Sequence, residues 1–70
     1  MGDSIYKVIE LIGTSEISWE DAAKRAVERA AKTLEDLRIA EVTDMDMKIE
    51  NGKVTAYRTK VKLSFRFRDS

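Results

Sequence analysis

Seventy residues bound the chain to a single small domain, 1–70, and a core of that size usually needs disulfides, a metal or self-association to hold it. There is no cysteine and no histidine, which excludes disulfides and thiolate metal sites and removes the commonest transition-metal ligand and neutral-pH general base; any metal would be a hard cation held by oxygen. Thirteen basic residues balance thirteen acidic ones, which argues against a nucleic-acid-binding module.

In chain order, Ser4–Ile12 (SIYKVIELI) reads as a strand, with Tyr6, Val8 and Ile12 on one face and Ile5, Ile9 and Leu11 on the other. The N-terminal MGDSIYKV lacks the form of a signal peptide, and no apolar run approaches the roughly 20 residues of a membrane span. With the absence of cysteine, this points to a cytoplasmic protein without membrane contact. Apolar groups on both strand faces suggest burial from both sides, one of them by a neighbouring subunit. Gly13-Thr14-Ser15 is expected to break the strand.

Ser18 is a good N-cap, and Asp21 three residues on completes a capping-box-like arrangement. The helix is predicted over Ser18–Leu37, with Trp19, Ala22, Ala23, Ala26, Val27, Ala30, Leu34 and Leu37 on one stripe. Glu20–Lys24, Asp21–Arg25 and Glu28–Lys32 stand at i,i+4 on the solvated face. Trp19 is expected to anchor a core or an interface.

Ile39–Ile49 reads as a second strand, Asn51-Gly52 as a two-residue hairpin turn, and Lys53–Arg68 as a third strand. Counting outward from the turn sets Glu50 against Lys53, Val42 against Val61, Ala40 against Leu63, Glu41 against Lys62, Thr43 against Lys60, Met45 against Arg58 and Ile39 against Ser64. Val42 and Ala40 should then receive the helix, and Ile39, Met45, Met47 and Val54 should share the other face. The fold class is α+β: a β-α-β-β chain whose three-stranded antiparallel sheet wraps one helix.

No catalytic constellation is present, so the chain is not expected to be an enzyme. Asp44 and Asp46, two residues apart on a strand, share a face and could hold a hard cation if a symmetry mate supplied more oxygens. Arg58, Lys60, Lys62, Arg66 and Arg68 form a basic row, but no aromatic residues interleave it as in a single-strand binder, so ion pairing is its expected use.

Val8–Ser15, Lys32–Leu34, Glu41-Val42 and Val61–Phe67, in this order and spacing, resemble the dodecin family across essentially the whole chain. The resemblance implies a non-enzymatic homododecameric shell, many of whose members bind and store flavin at subunit interfaces. Three flavin-site-equivalent positions depart from that pattern. Ile39 stands where a stacking Trp is usual, Arg58 where a Gln bonds the ring edge, and Asp46-Met47 where an Arg-Gly pair is usual. These exchanges argue against ordinary flavin binding. Ser18-Trp19-Glu20 and Arg38–Met47 look closer to the calcium dodecins. The expectation is therefore a shell holding a small ligand or cation such as Ca²⁺ at its interfaces, with Asp44 and Asp46 as candidate metal ligands. Flavin storage, a purely structural oligomer and a nucleic-acid-binding β-α-β-β module are the alternatives.

Overall fold

The computed structural model describes residues 5–66, so Ser4 and the expected strand end at Phe67 and Arg68 lie outside the described residues. The elements are β1 (Tyr6–Ser15), α1 (Trp19–Ala30), β2 (Leu37–Glu50) and β3 (Lys53–Arg66). The three strands form an antiparallel sheet in the order β1-β3-β2, so the last strand is central. The chain is α+β with the expected β-α-β-β order.

β1 runs three residues past its expected end, and Gly13-Thr14-Ser15 belongs to the ladder, opposite Thr59, Arg58 and Tyr57. Gly13 does not turn the chain there; it lets the helix cross. A Cβ on Gly13 would overlap the backbone carbonyl of Ala22 and come within 3.1 Å of the Ala26 Cβ. The alanine stripe thus meets a strand position with no side chain, and Ala22, Ala26 and Ala30 are buried.

The helix stops at Ala30, seven residues short of the expected Leu37. Lys32 N–H and Thr33 N–H donate to the carbonyls of Arg29 and Ala30 at 3.2 and 3.1 Å, the tighter i→i−3 pattern of a closing turn. Asp36 then takes φ 60°, a left-handed conformation that Asp tolerates better than most residues, and Leu37 enters β2. Leu34 and Leu37 still pack on the core formed by Ala26, Ala30, Val61 and Leu63, so the stripe is right as packing although its last turns are not helical.

At the other end Ser18 caps as expected: its Oγ accepts from Asp21 N–H at 3.0 Å. The reciprocal half of the capping box is replaced. The Asp21 carboxylate accepts from Ser15 Oγ at 2.6 Å and from Arg25 Nε at 2.6 Å.

Asn51 and Gly52 adopt φ 52° and 75°, the left-handed pair that a two-residue hairpin turn requires, and Glu50 faces Lys53. The expected register holds at Ile39, Ala40, Glu41 and Val42. Between these and the turn it is shifted by one residue, because irregularities lie between Val42 and Asp44 and between Lys48 and Ile49. Thr43 is the extra residue in β2 and Thr55 the extra one in β3. Asp44 therefore faces Lys60, Met45 faces Thr59, and Asp46, rather than Met45, faces Arg58. The Thr43 bulge turns Met45 and Met47, and the Thr55 bulge turns Val54, onto the helix side of the sheet, correcting the expected place of all three on the other face.

The helix, about 18 Å long at 1.5 Å per residue, covers β1 and β3. β2 is about 48 Å long at 3.4 Å per residue, and all of it beyond Leu37 is exposed, so Val42, which the helix start leaves half open, is not covered as expected. The result is an arm that gives the molecule extents of 55 × 20 × 14 Å.

Candidate functional site

On the sheet face away from the helix, alternation brings three kinds of side chain side by side. β1 contributes Tyr6, Val8 and Ile12, each about half exposed; β3 contributes Arg58, Lys60, Lys62 and Arg66; β2 contributes Ile39, Glu41, Asp44 and Asp46. The basic row does not stand alone. Glu41, Asp44 and Asp46 lie directly across from Lys62, Lys60 and Arg58, three successive acid–base pairings. Lys62 also has Glu10 of β1 on its other side, with Nζ 4.0 Å from Oε2. A row neutralised in this way is poorly suited to a phosphate backbone.

The Thr43 bulge sets this pattern. Without it Asp44 and Asp46 would turn toward the helix side. Thr43 Oγ1 donates to the Lys60 carbonyl at 3.3 Å, closing the bulge locally.

The tightest pairing is Asp46 with Arg58. Arg58 Nε donates to Oδ1 at 2.7 Å and Nη2 donates to Oδ2 at 2.8 Å, a fork-on-fork arrangement. The guanidinium hydrogen bonds hold the Asp46 carboxyl below the ordinary aspartate range, and the same bonds raise Arg58 further. Ile12, Asp44, Met45, Asp46, Arg58 and Lys60 line one hollow of about 320 Å³.

Asp46 is also held through its backbone. Trp19 Nε1 donates to its carbonyl at 3.0 Å, and the indole meets Tyr57 edge-on with centroids 5.1 Å apart. The Trp19 carbonyl in turn accepts from the buried Thr59 Oγ1 at 2.9 Å. Trp19 is therefore the link between the helix start and the acidic strand. The sequence marked it as an anchor but gave no partner, because the bond crosses 27 positions to a main-chain atom.

Ile39 shares this face but not this hollow. It faces Ser64, six residues along β3 from Arg58, or about 20 Å at strand rise. It lines a separate hollow with Val27, Leu37, Arg38, Ala40 and Leu63. One chain thus brings Asp44, Asp46 and Arg58 together and leaves Ile39 apart; a ligand touching both Ile39 and Arg58 would have to lie between two chains.

As a metal centre, one chain does not fit. Both Asp46 oxygens are engaged by Arg58, Asp44 stands beside Lys60, and among the described residues no three acidic side chains converge. Among the described residues no helix is long and apolar enough to cross a membrane.

Residues 5–68 match the family model of dodecin. The calcium dodecin of Mycobacterium tuberculosis is 50% identical over 66 residues, covering 93% of this chain and 92% of that protein. The dodecin of Thermus thermophilus is 36% identical over 66 residues, covering 94% and 96%. Among solved structures, dodecin from Streptomyces coelicolor superposes with a TM-score of 0.92 at 38% identity over all of both chains. The crystal structure of the Mycobacterium tuberculosis calcium dodecin, described as calcium-chelating with a novel calcium-binding site, does so at 0.83 with 48% identity over 96% of each.

Proposed function

The chain belongs to the dodecin family, and on that premise we propose that it is a non-enzymatic cytoplasmic protein that closes into a homododecameric shell and holds a small ligand or a cation such as Ca²⁺ where subunits meet. The observation that carries this reading is the uncovered arm. Val42, Met45, Met47, Ile49 and Val54 follow one another along the helix side of β2 and β3, and all are between 45% and 63% exposed, because the chain's own helix reaches only Val42 and Met45, with Trp19, Glu20 and Ala23 at its start, and leaves even these half open.

The size of the uncovered surface supports the same reading. A compact chain of 70 residues has a radius of gyration of about 11 Å, against 14.6 Å here. A folded 8.0 kDa monomer exposes about 4,450 Å², against 5528 Å² here. The excess, about 1,100 Å², is of the size each partner contributes to a specific interface, about 800 Å².

Two features support the absence of catalysis. The chain has no histidine or cysteine. Ser15, a hydroxyl held against a carboxylate, is buried and fully used: it donates to Asp21 and accepts from Ile17 N–H at 2.9 Å.

For Ca²⁺, the support is the 50% identical calcium dodecin together with Asp44, whose carboxylate has no hydrogen-bond or ion-pair partner among the described residues. Since one chain lacks a complete set of ligands, the ion would draw oxygens from several. Flavin lacks its stacking ring at Ile39 and a neutral amide at Arg58. Equilibrium dialysis of the purified assembly against Ca²⁺ tests the reading: saturable binding that Asp44→Asn weakens is expected. A yellow, flavin-loaded assembly that takes up no Ca²⁺ would overturn the choice of ligand. The double change Ile39→Trp, Arg58→Gln should create flavin fluorescence quenching that the parent lacks.

A further inference from the structure

The chain has three methionines and no cysteine, and two of its three sulfurs stand together on the apolar stripe that runs from Val42 to Val54. Met45 and Met47 are two residues apart on β2, opposite Thr59 and Tyr57, and are 58% and 45% exposed. Met45 lines an apolar hollow of about 470 Å³ with Trp19, Glu20, Ala23, Val42 and Thr59. Both side-chain donors in that lining are already engaged. Trp19 Nε1 donates to the Asp46 carbonyl, and Thr59 Oγ1 donates to the Trp19 carbonyl. A new acceptor placed in the hollow and then covered would find neither of them free, and an acceptor buried without a donor is costly. A thioether sulfur makes no such demand; its sulfoxide does.

We propose that Met45 and Met47 form a redox modification site that governs whether the chain assembles. That role rests on the reading of the stripe as the contact between subunits. In the single chain both sulfurs are open to a peroxide. A sulfur lone pair attacks one peroxide oxygen, the O–O bond breaks and an S=O bond forms. The other oxygen takes the proton of the transferred one and leaves as water; sulfur gives up two electrons and the peroxide takes them. The product is a polar group on the surface that a neighbour must cover. A thiol reductant with a methionine sulfoxide reductase returns two electrons and two protons, releases the oxygen as water and restores the apolar stripe. Assembly covers the same sulfurs, so the closed form is protected and the unassembled chain is the target. Oxidation thus acts before closure and holds chains apart. Neither side chain is buried in the chain's own core, so the subunit stays folded.

The test applies hydrogen peroxide to the full-length protein, either assembled or unfolded in guanidinium, and then removes both reagents. Untreated protein taken through the same cycle is the reference. Peptide masses locate the added oxygens, native mass spectrometry reads assembly and circular dichroism reads the fold. Protein oxidised while unfolded should carry oxygen on both residues and refold to the reference spectrum. It should need at least about tenfold higher concentration to assemble, the effect of one unpaired buried acceptor. Protein oxidised while assembled should gain oxygen at these two sites at least about tenfold more slowly than the unfolded chain. Met45→Leu with Met47→Leu, a volume-conserving exchange, should assemble normally after the same treatment. Oxidised parent that assembles like the reference overturns the proposal, as does a loss of assembly that the double variant shares. Should the double variant not fold, the reductase decides: parent that stays apart once both sulfurs are reduced overturns it. A reference that never assembles overturns the reading of the stripe itself, a distinct result seen before any oxidant is added.

Discussion

Gly13→Ala is a small change with a large expected effect. The added methyl has no free direction: it projects toward the helix and overlaps the carbonyl of Ala22, with the Ala26 Cβ 3.1 Å away. The first of these atoms is main chain and cannot rotate aside, so the helix must lift from β1 and β3. Overpacking a well-fitted core costs about 1–3 kcal/mol, and a backbone collision belongs at the top of that range. For a domain of this size about 3 kcal/mol corresponds to roughly 12–24 °C in Tm. The assay is thermal unfolding by circular dichroism at fixed protein concentration, because assembly makes Tm concentration-dependent. Adding Ala26→Gly removes only the side-chain contact and should restore little. A Gly13→Ala protein that melts within about 5 °C of the parent, where a loss of 1 kcal/mol alone would place it, would refute the close crossing.

The other expectations concern the helix start, the ion pairs and the arm. Ser18→Ala removes the acceptor for Asp21 N–H and should cost about 1 kcal/mol in denaturant unfolding. Thr59→Val keeps the volume but leaves the Trp19 carbonyl without its buried donor, at a cost of about 1–3 kcal/mol by the same measurement. The Asp21 and Asp46 carboxyls are held below the ordinary aspartate value, by Ser15 with Arg25 and by Arg58 respectively. Their contribution to stability is therefore complete above the unfolded-state pKa and is lost only as pH falls through the lower folded values. Carboxyl ¹³C titration should show both groups below the ordinary value, with Asp46 returning to it in Arg58→Gln. Met47→Glu sets a charge on the apolar stripe; a buried unpaired charge costs several kcal/mol, so the variant should sediment as smaller species than the parent.

The sequence carried the β-α-β-β order because each signal was local: strand alternation, a capped alanine-rich helix and an Asn-Gly turn. The helix end was illegible for an equally local reason. No Gly or Pro marks it, the apolar spacing continues through Leu34 and Leu37 because both remain in the core, and the helix closes in the i→i−3 turn at Lys32 and Thr33, with Asp36 at positive φ only later turning the chain into β2. Gly13 looked like a turn, because close approach of a helix is a tertiary property that a glycine does not announce. The register shift did leave a trace. Ala40 and Val42 are followed by Met45 and Met47, an interval of three where a regular strand needs two, and Val54 to Tyr57 repeats it. Alternation counted without bulges misses that extra residue and sends Asp46 to the wrong side. The consequence reaches the candidate site directly, since Asp46 faces Arg58 only across the shifted segment. Trp19 bonding to the Asp46 backbone left no trace, because the acceptor is a main-chain atom common to every residue.

Self-assembly through the uncovered arm underlies the rest of the account, and native mass spectrometry of the purified protein in volatile buffer tests it most directly. A single dominant species at the mass of a homododecamer, broken down by Met47→Glu, is the predicted result. A parent protein that flies as a monomer or dimer would contradict it, because the apolar stripe from Val42 to Val54 would then be standing in water.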